Sequence, residues 1–301
     1  MLGFMGVTLA LYSKAVVNCG IAALYANPTR ESELADEALF GMVVDIIEVE
    51  GDWFKVRTHY RYEGWAERCW FTCDEASVEA WGRRERLMVT AAFADVLANP
   101  DVRGPIVAAG LPRGSVVASD GGAVVGVGNN GAGGGAGSDV NDRWQRVILP
   151  DGRTGYMMRG RLGEHVTSWD VSDEDALRRK IIDTAFSYMG TSYRWGGKTA
   201  LGIDCSGLTS VSYLLSGAII YRDADIKPGF EMREIDPKDA KPADLLFTND
   251  HVVMYLGDGK YIHSTSKQGS EGVVVNSLNP EDSDFRQDIR DDIVFAGSIF
   301  V

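Results

Sequence analysis

A short pattern occurs twice in the first half of the chain and limits what that half can fold into. Gly51-Asp52-Trp53-Phe54-Lys55-Val56 precedes Glu63-Gly64-Trp65, and Asp142-Arg143-Trp144-Gln145-Arg146-Val147 precedes Thr154-Gly155-Tyr156. Each copy opens an alternating run with an aromatic residue and reaches a Gly-aromatic step about ten residues on. Alternation with period two buries one face of a strand, and pairs such as Gly51-Asp52 mark where a strand stops. Val43-Val44-Asp45-Ile46-Ile47 is a further run of this kind. The first half therefore reads as two copies of one small all-β unit.

The repeat resembles bacterial SH3-like barrels, which commonly end in a Gly-Trp strand, over residues 15–70 and 89–162. The second copy carries a Gly-rich insertion over 121–137. Within it, Gly126-x-Gly128-x-x-Gly131 matches the dinucleotide fingerprint in form, but that fingerprint needs a following helix to hold the pyrophosphate. Ala132-Gly133-Gly134-Gly135-Ala136-Gly137 follows instead and cannot hold a helix, so the insertion reads as a flexible hairpin loop.

After Val166 the texture changes to mixed α/β. Ser172-Asp173-Glu174-Asp175 is a capping-box-like start, and Leu177, Ile181, Ala185 and Met189 recur at helical spacing before Gly190. A second helix starts near Asp204 and stops by Gly217, and strands are predicted over 245–247, 252–256, 261–265, 273–275 and 293–300. The 301 residues thus divide into 1–80, 81–166 with the insertion, and 167–301.

The formal net charge of −13 disfavours nucleic acid and anionic membrane surfaces as partners, and a cationic or zwitterionic small substrate stays compatible. No run of apolar residues is long enough to span a membrane. Met1 to Leu11 has neither a preceding basic residue nor a small-x-small step, so it reads as a first strand or helix rather than an export signal. The four cysteines, Cys19, Cys69, Cys73 and Cys205, suggest no disulfide framework, and no neighbouring histidine completes a metal site with them. No cofactor is expected, and the reduced cytoplasm is the expected compartment.

Chemistry concentrates in three segments of 167–301. These are Tyr193-Arg194-Trp195-Gly196-Gly197, Asp204-Cys205-Ser206-Gly207-Leu208, and Asp250-His251-Val252-Val253-Met254-Tyr255 running on to His263. Asp204 is a good N-cap, which places Cys205 in the first turn of a helix, where partial positive charge favours the thiolate. A thiolate nucleophile needs an imidazole within reach. His251 opens one strand and His263 lies in the next, and their rings share a face if the connection Gly257-Asp258-Gly259 is three residues long. A two-residue turn would put them on opposite faces.

Together these motifs resemble the NlpC-type, papain-like cysteine peptidases of the cell wall. With two SH3-like units ahead of them, the likeness is to γ-D-glutamyl-L-diamino-acid endopeptidases. The resemblance implies an α+β catalytic domain, with a cysteine-bearing helix packed on an antiparallel sheet that carries histidine, behind two small all-β barrels. It implies Cys205 as nucleophile, His251 as base and then acid, and His263 as the group that orients His251. The Cys205 backbone N–H and the Tyr193 hydroxyl would hold the oxyanion. Asp204 and Ser206 would meet substrate, with Asp204 at its amine end. The first SH3-like unit would contact the catalytic domain and lend Glu33 and Tyr62 to the same subsite. Arg222 and Asp223 are given packing or cleft-edge roles. Such an enzyme would release L-Ala-γ-D-Glu from murein peptides with a free amino terminus, in recycling of wall fragments. An exported enzyme acting on intact stems, an inert murein-fragment binding protein and a thiol-based acyl transferase remain the alternatives. Diaminopimelate and lysine stay open at the third position.

Overall fold

In each repeat the Gly-aromatic step sits where two strands approach too closely for a side chain. A Cβ on Gly64 would lie 2.7 Å from Leu24 Cβ, and one on Gly155 would lie 2.5 Å from Val96 Cγ1. Glycine removes that clash in both copies. The computed structural model describes residues 13–121 and 143–300, and over them the two copies share more than this step. One sheet holds β1 (Lys14–Val17), β2 (Ile21–Tyr25), β3 (Leu34–Leu39), β4 (Val43–Glu50), β5 (Trp53–Thr58), β6 (Glu63–Glu67) and β7 (Phe71–Thr72), in the order β3-β2-β6-β5-β4-β1-β7. After helix α1 (Glu75–Gly82) come β8 (Arg86–Val89), β9 (Phe93–Leu97), β10 (Ile106–Pro112), β11 (Val116–Ser119), β12 (Trp144–Ile148), β13 (Thr154–Met158) and β14 (Leu162–Glu164). Their order, β10-β9-β13-β12-β11-β8-β14, repeats the first strand for strand. A 3-10 turn precedes the last strand of each sheet, at Arg68–Trp70 and Arg159–Arg161. The N-terminal stretch and the Gly-rich insertion with its fingerprint lie outside the described residues.

The two sheets share core. Phe40, which follows β3, is packed among Leu87, Val96, Leu111, Val147 and Met157 of the second copy. Trp81 of α1 clusters with Val16, Val116 and Ile148, and its Nε1 donates to Gly41 O at 3.0 Å. Residues 1–165 accordingly form one compact unit and 166–301 a second.

The second unit opens with α2 (Glu174–Phe186). Its cap is Asp173, whose carboxylate accepts from Ala176 N at 3.0 Å. Leu177, Ile181 and Ala185 are buried as their spacing predicts, but the helix stops at Phe186 and leaves Met189 46% exposed. The short hairpin of β15 (Lys198–Thr199) and β16 (Gly202–Ile203) leads into α3 (Cys205–Leu214). An antiparallel sheet follows, formed by β17 (Arg233–Ile235), β18 (Leu245–Phe247), β19 (Val252–Gly257), β20 (Lys260–Thr265), β21 (Gly272–Ser277) and β22 (Phe295–Ser298). Its order is β17-β22-β18-β19-β20-β21. Helix α3 packs on β19 and β20, and Ile289 of helix α4 (Gln287–Asp292) packs with Leu246, Val253 and Tyr261. This is the papain-like arrangement, a cysteine-bearing helix on a histidine-bearing sheet.

Candidate active site

Asp204 has extended backbone, and its Oδ1 accepts from Gly207 N at 2.5 Å, so α3 begins at Cys205. The helix start is pressed against the preceding loop: a Cβ on Gly207 would lie 2.1 Å from Gly197 O. Asp204 Oδ2 accepts from Gly196 N at 2.7 Å, which ties that loop to the cap. Arg222 completes the arrangement. Its Nη1 and Nη2 donate to Asp204 Oδ1 and Oδ2 at 3.1 and 3.0 Å, and Nη1 also donates to Ser206 Oγ at 2.8 Å. Of the packing or cleft-edge role expected of Arg222, the structure shows the packing one: it is a buried ion-pair partner, 2% exposed. Both Asp204 oxygens, expected to face the amine end of a substrate, are occupied by donors of the protein itself.

His251 and His263 meet on one side of the sheet, with His251 Nε2 and His263 Nδ1 2.7 Å apart. The connection that achieves this differs from the three-residue turn expected. Gly257 pairs with Lys260 across a two-residue turn of Asp258 and Gly259, at φ 50° and 73°. That turn alone would set the rings on opposite faces. A bulge between Tyr255 and Gly257, in which Leu256 is the extra residue, restores the pairing of Tyr255 with Tyr261 and Met254 with Ile262. His263 thus lies diagonal to His251 on the shared face.

The hydrogen bonds beyond His263 fix the tautomers. Asn276 Nδ2 donates to Asp284 O at 3.1 Å, which leaves Asn276 Oδ1 as the acceptor facing His263 Nε2 at 3.0 Å. Nε2 of His263 therefore carries its proton and Nδ1 is bare, so His251 donates from Nε2 and keeps Nδ1 free to accept. Asn276 was missed in the sequence. The one signal is an amide in the otherwise apolar run Gly272–Asn276, and only the register β20–β21 shows it beside His263.

Burial pushes the Cys205 thiol up to about 11, and the neighbouring Asp204 carboxylate adds to this. The backbone N–H groups of Val252 and Ser206, and the Arg222 guanidinium, act the other way without prevailing. Burial thus opposes the thiolate expected at the helix start, because the loss of hydration outweighs the helix terminus. Burial first, then Arg286, lowers His251 to about 4, with Asp288 opposing. His263 falls to about 3 through burial and the adjacent His251. The Tyr193 hydroxyl is pushed up by burial and by Cys205, and so stays a donor. Ser206 is buried beside Cys205, 7% exposed. Glu33 and Tyr62 belong to the other unit. Glu33 is exposed ahead of β3 with its carbonyl accepting from Ala26 N, and Tyr62 is half-buried between β5 and β6.

Residues 190–284 match the model of the NlpC/P60 family, and residues 24–68 match that of the bacterial dipeptidyl-peptidase Sh3 domain. Dipeptidyl-peptidase 6 of Lysinibacillus sphaericus is 39% identical over 95% of this chain and 99% of its own. Gamma-D-glutamyl-L-lysine dipeptidyl-peptidase of Bacillus cereus is 26% identical over 82% of this chain and 72% of its own. A crystal structure of an NlpC/P60 family protein from Bacillus cereus superposes with a TM-score of 0.71 at 20% identity, covering 94% of this chain and 98% of that one.

Proposed function

Because the chain belongs to the NlpC/P60 family of cell-wall cysteine peptidases, we propose that it hydrolyses the bond between γ-D-Glu and the diamino acid of murein peptides and releases L-Ala-γ-D-Glu from a free amino terminus. The observation that carries the chemistry is the relay from His251 through His263 to Asn276, because it leaves His251 Nδ1 as a bare base. The dipeptidyl-peptidase names of relatives aligned along most of this chain support release of a dipeptide.

In this reading Cys205 Sγ attacks the γ-carbonyl carbon of D-Glu while its proton passes to His251 Nδ1. Proton transfer coupled to attack suits a resting pair of neutral thiol and neutral imidazole. The oxyanion is received by the Cys205 N–H and the Tyr193 hydroxyl, each such donor being worth roughly 2.7–4 kcal/mol in other enzymes. His251 returns the proton to the departing amine, and the thioester is then hydrolysed by water with His251 again as base. His263 holds the ring of His251 and stabilises its charged form, as the third member of a triad does. Such an activity suits recycling of wall peptides inside the cell.

The test is product analysis by mass spectrometry on L-Ala-γ-D-Glu-diaminopimelate and the lysine analogue, each with a free and an acetylated amino terminus. L-Ala-γ-D-Glu is expected from the free peptides and little or nothing from the acetylated ones. Undiminished cleavage after acetylation would replace this reading with an endopeptidase of intact stems. Tight binding without turnover would replace it with a fragment-binding protein.

A further inference from the structure

We infer that Arg222 is a positioning residue of the reaction: by pairing with both oxygens of Asp204 it cancels a carboxylate charge one residue from the sulfur and keeps Cys205 able to lose its proton. The inference rests on the proposed role of Cys205 as nucleophile. The carboxylate is needed structurally, because it caps Gly207 N and holds Gly196 N. Its charge works against the chemistry, since an anion beside a thiol disfavours the thiolate. The guanidinium answers this without disturbing the cap. It is buried, spans Oδ1 and Oδ2 as a fork, and reaches Ser206 Oγ and Gly197 O from the same plane. A lysine could neutralise the charge but could not bridge both oxygens and the loop carbonyl together.

The groups that face this charge come from every element around the thiol. Tyr193 comes from the preceding loop, Asp204 from the helix cap, Asp250 from the segment just before β19, whose Val252 N–H faces the sulfur, and Arg222 from the segment after α3. Among them Arg222 is the permanent cation, and Cys205 and Tyr193 both register its pull.

The experiment is the pH dependence of iodoacetamide alkylation of Cys205 in the full chain, followed by site-resolved mass spectrometry. Cys19, Cys69 and Cys73 are scored separately. Arg222→Met should move the midpoint up by about one pH unit or more and slow alkylation at neutral pH about tenfold. Asp204→Asn, which leaves the guanidinium uncompensated, should move the midpoint down. In the double variant Arg222→Met with Asp204→Asn, the midpoint should return close to that of the parent, and Arg222→Lys should fall between parent and Arg222→Met. If Arg222→Met does not fold, the Asp204→Asn and double variants still decide the matter, the first lying below the parent and the second close to it. An unchanged midpoint in folded Arg222→Met, or a rise in Asp204→Asn, would overturn the inference. Complete alkylation of Cys205 with turnover intact would instead overturn the nucleophile reading and leave the electrostatic result standing by itself.

Discussion

Asn276 sets which nitrogen of His251 is bare, although it never meets the sulfur in this scheme. Replacing it with leucine leaves the His263 Nε2–H buried without an acceptor, a cost of roughly 1–3 kcal/mol, and releases the ring of His263. Asn276→Leu should therefore lower kcat by about 10- to 100-fold with KM little changed, read by steady-state kinetics on the free tripeptide. The low value of His251 makes a second prediction at this scale. A base held at about 4 is already free at pH 5, so the acid limb of kcat/KM should lie near pH 4. A limb near the ordinary imidazole value would mean that burial does not control the ring. Cys205, His251 and His263 were legible in the sequence because residue type and spacing mark them. Asn276 and Arg222 were not, because an amide on a strand and an arginine beyond a helix acquire their roles from partners far along the chain.

At the scale of elements, the hairpin of β19 and β20 shows what spacing alone can and cannot deliver. The twelve-position separation of the histidines allows a shared face, but the turn is of two residues and a bulge at Leu256 repairs the parity. Deleting Leu256 should remove the bulge while the pairs Met254–Ile262, Tyr255–Tyr261 and Gly257–Lys260 survive. The shortened protein is expected to keep activity within about tenfold of the parent, a barrier change of no more than ~1.4 kcal/mol. Loss of all turnover in a variant with unchanged circular dichroism would contradict this account of the hairpin. Helix α1 was not read from the sequence either. Glu75–Gly82 is short, and its worth lies in one residue, Trp81, seated between the two repeats. Trp81→Ala should destabilise the unit of residues 1–165 by roughly 3–5 kcal/mol in denaturant unfolding.

For the whole molecule, the duplicated strand order was readable in outline, since the Gly-aromatic step in each copy reports a crossing of strands that only glycine fits. The edge strand β17 and helix α4 were not, being short and polar, with contacts that their own periodicity does not encode. The buried histidines also set how the second unit responds to acid. Their folded values, about 4 and about 3, lie below the ordinary 6.5. The unfolded chain therefore takes up protons first as pH falls. Their contribution to stability is whole above pH 6.5 and is lost as pH drops toward 4 and below. Between pH 7 and 5 the loss should be roughly 2 kcal/mol per ring, seen as a falling denaturation midpoint that His251→Gln and His263→Gln each flatten. The central claim is that Cys205 attacks the γ-glutamyl carbonyl and carries the acyl group until water removes it. Rapid acid quench during turnover of L-Ala-γ-D-Glu-diaminopimelate, followed by peptide mapping, tests it most directly. The account predicts the mass of the L-Ala-γ-D-Glu acyl group on the Cys205 peptide and none in Cys205→Ala, whereas product release by that variant at the parent rate would contradict it.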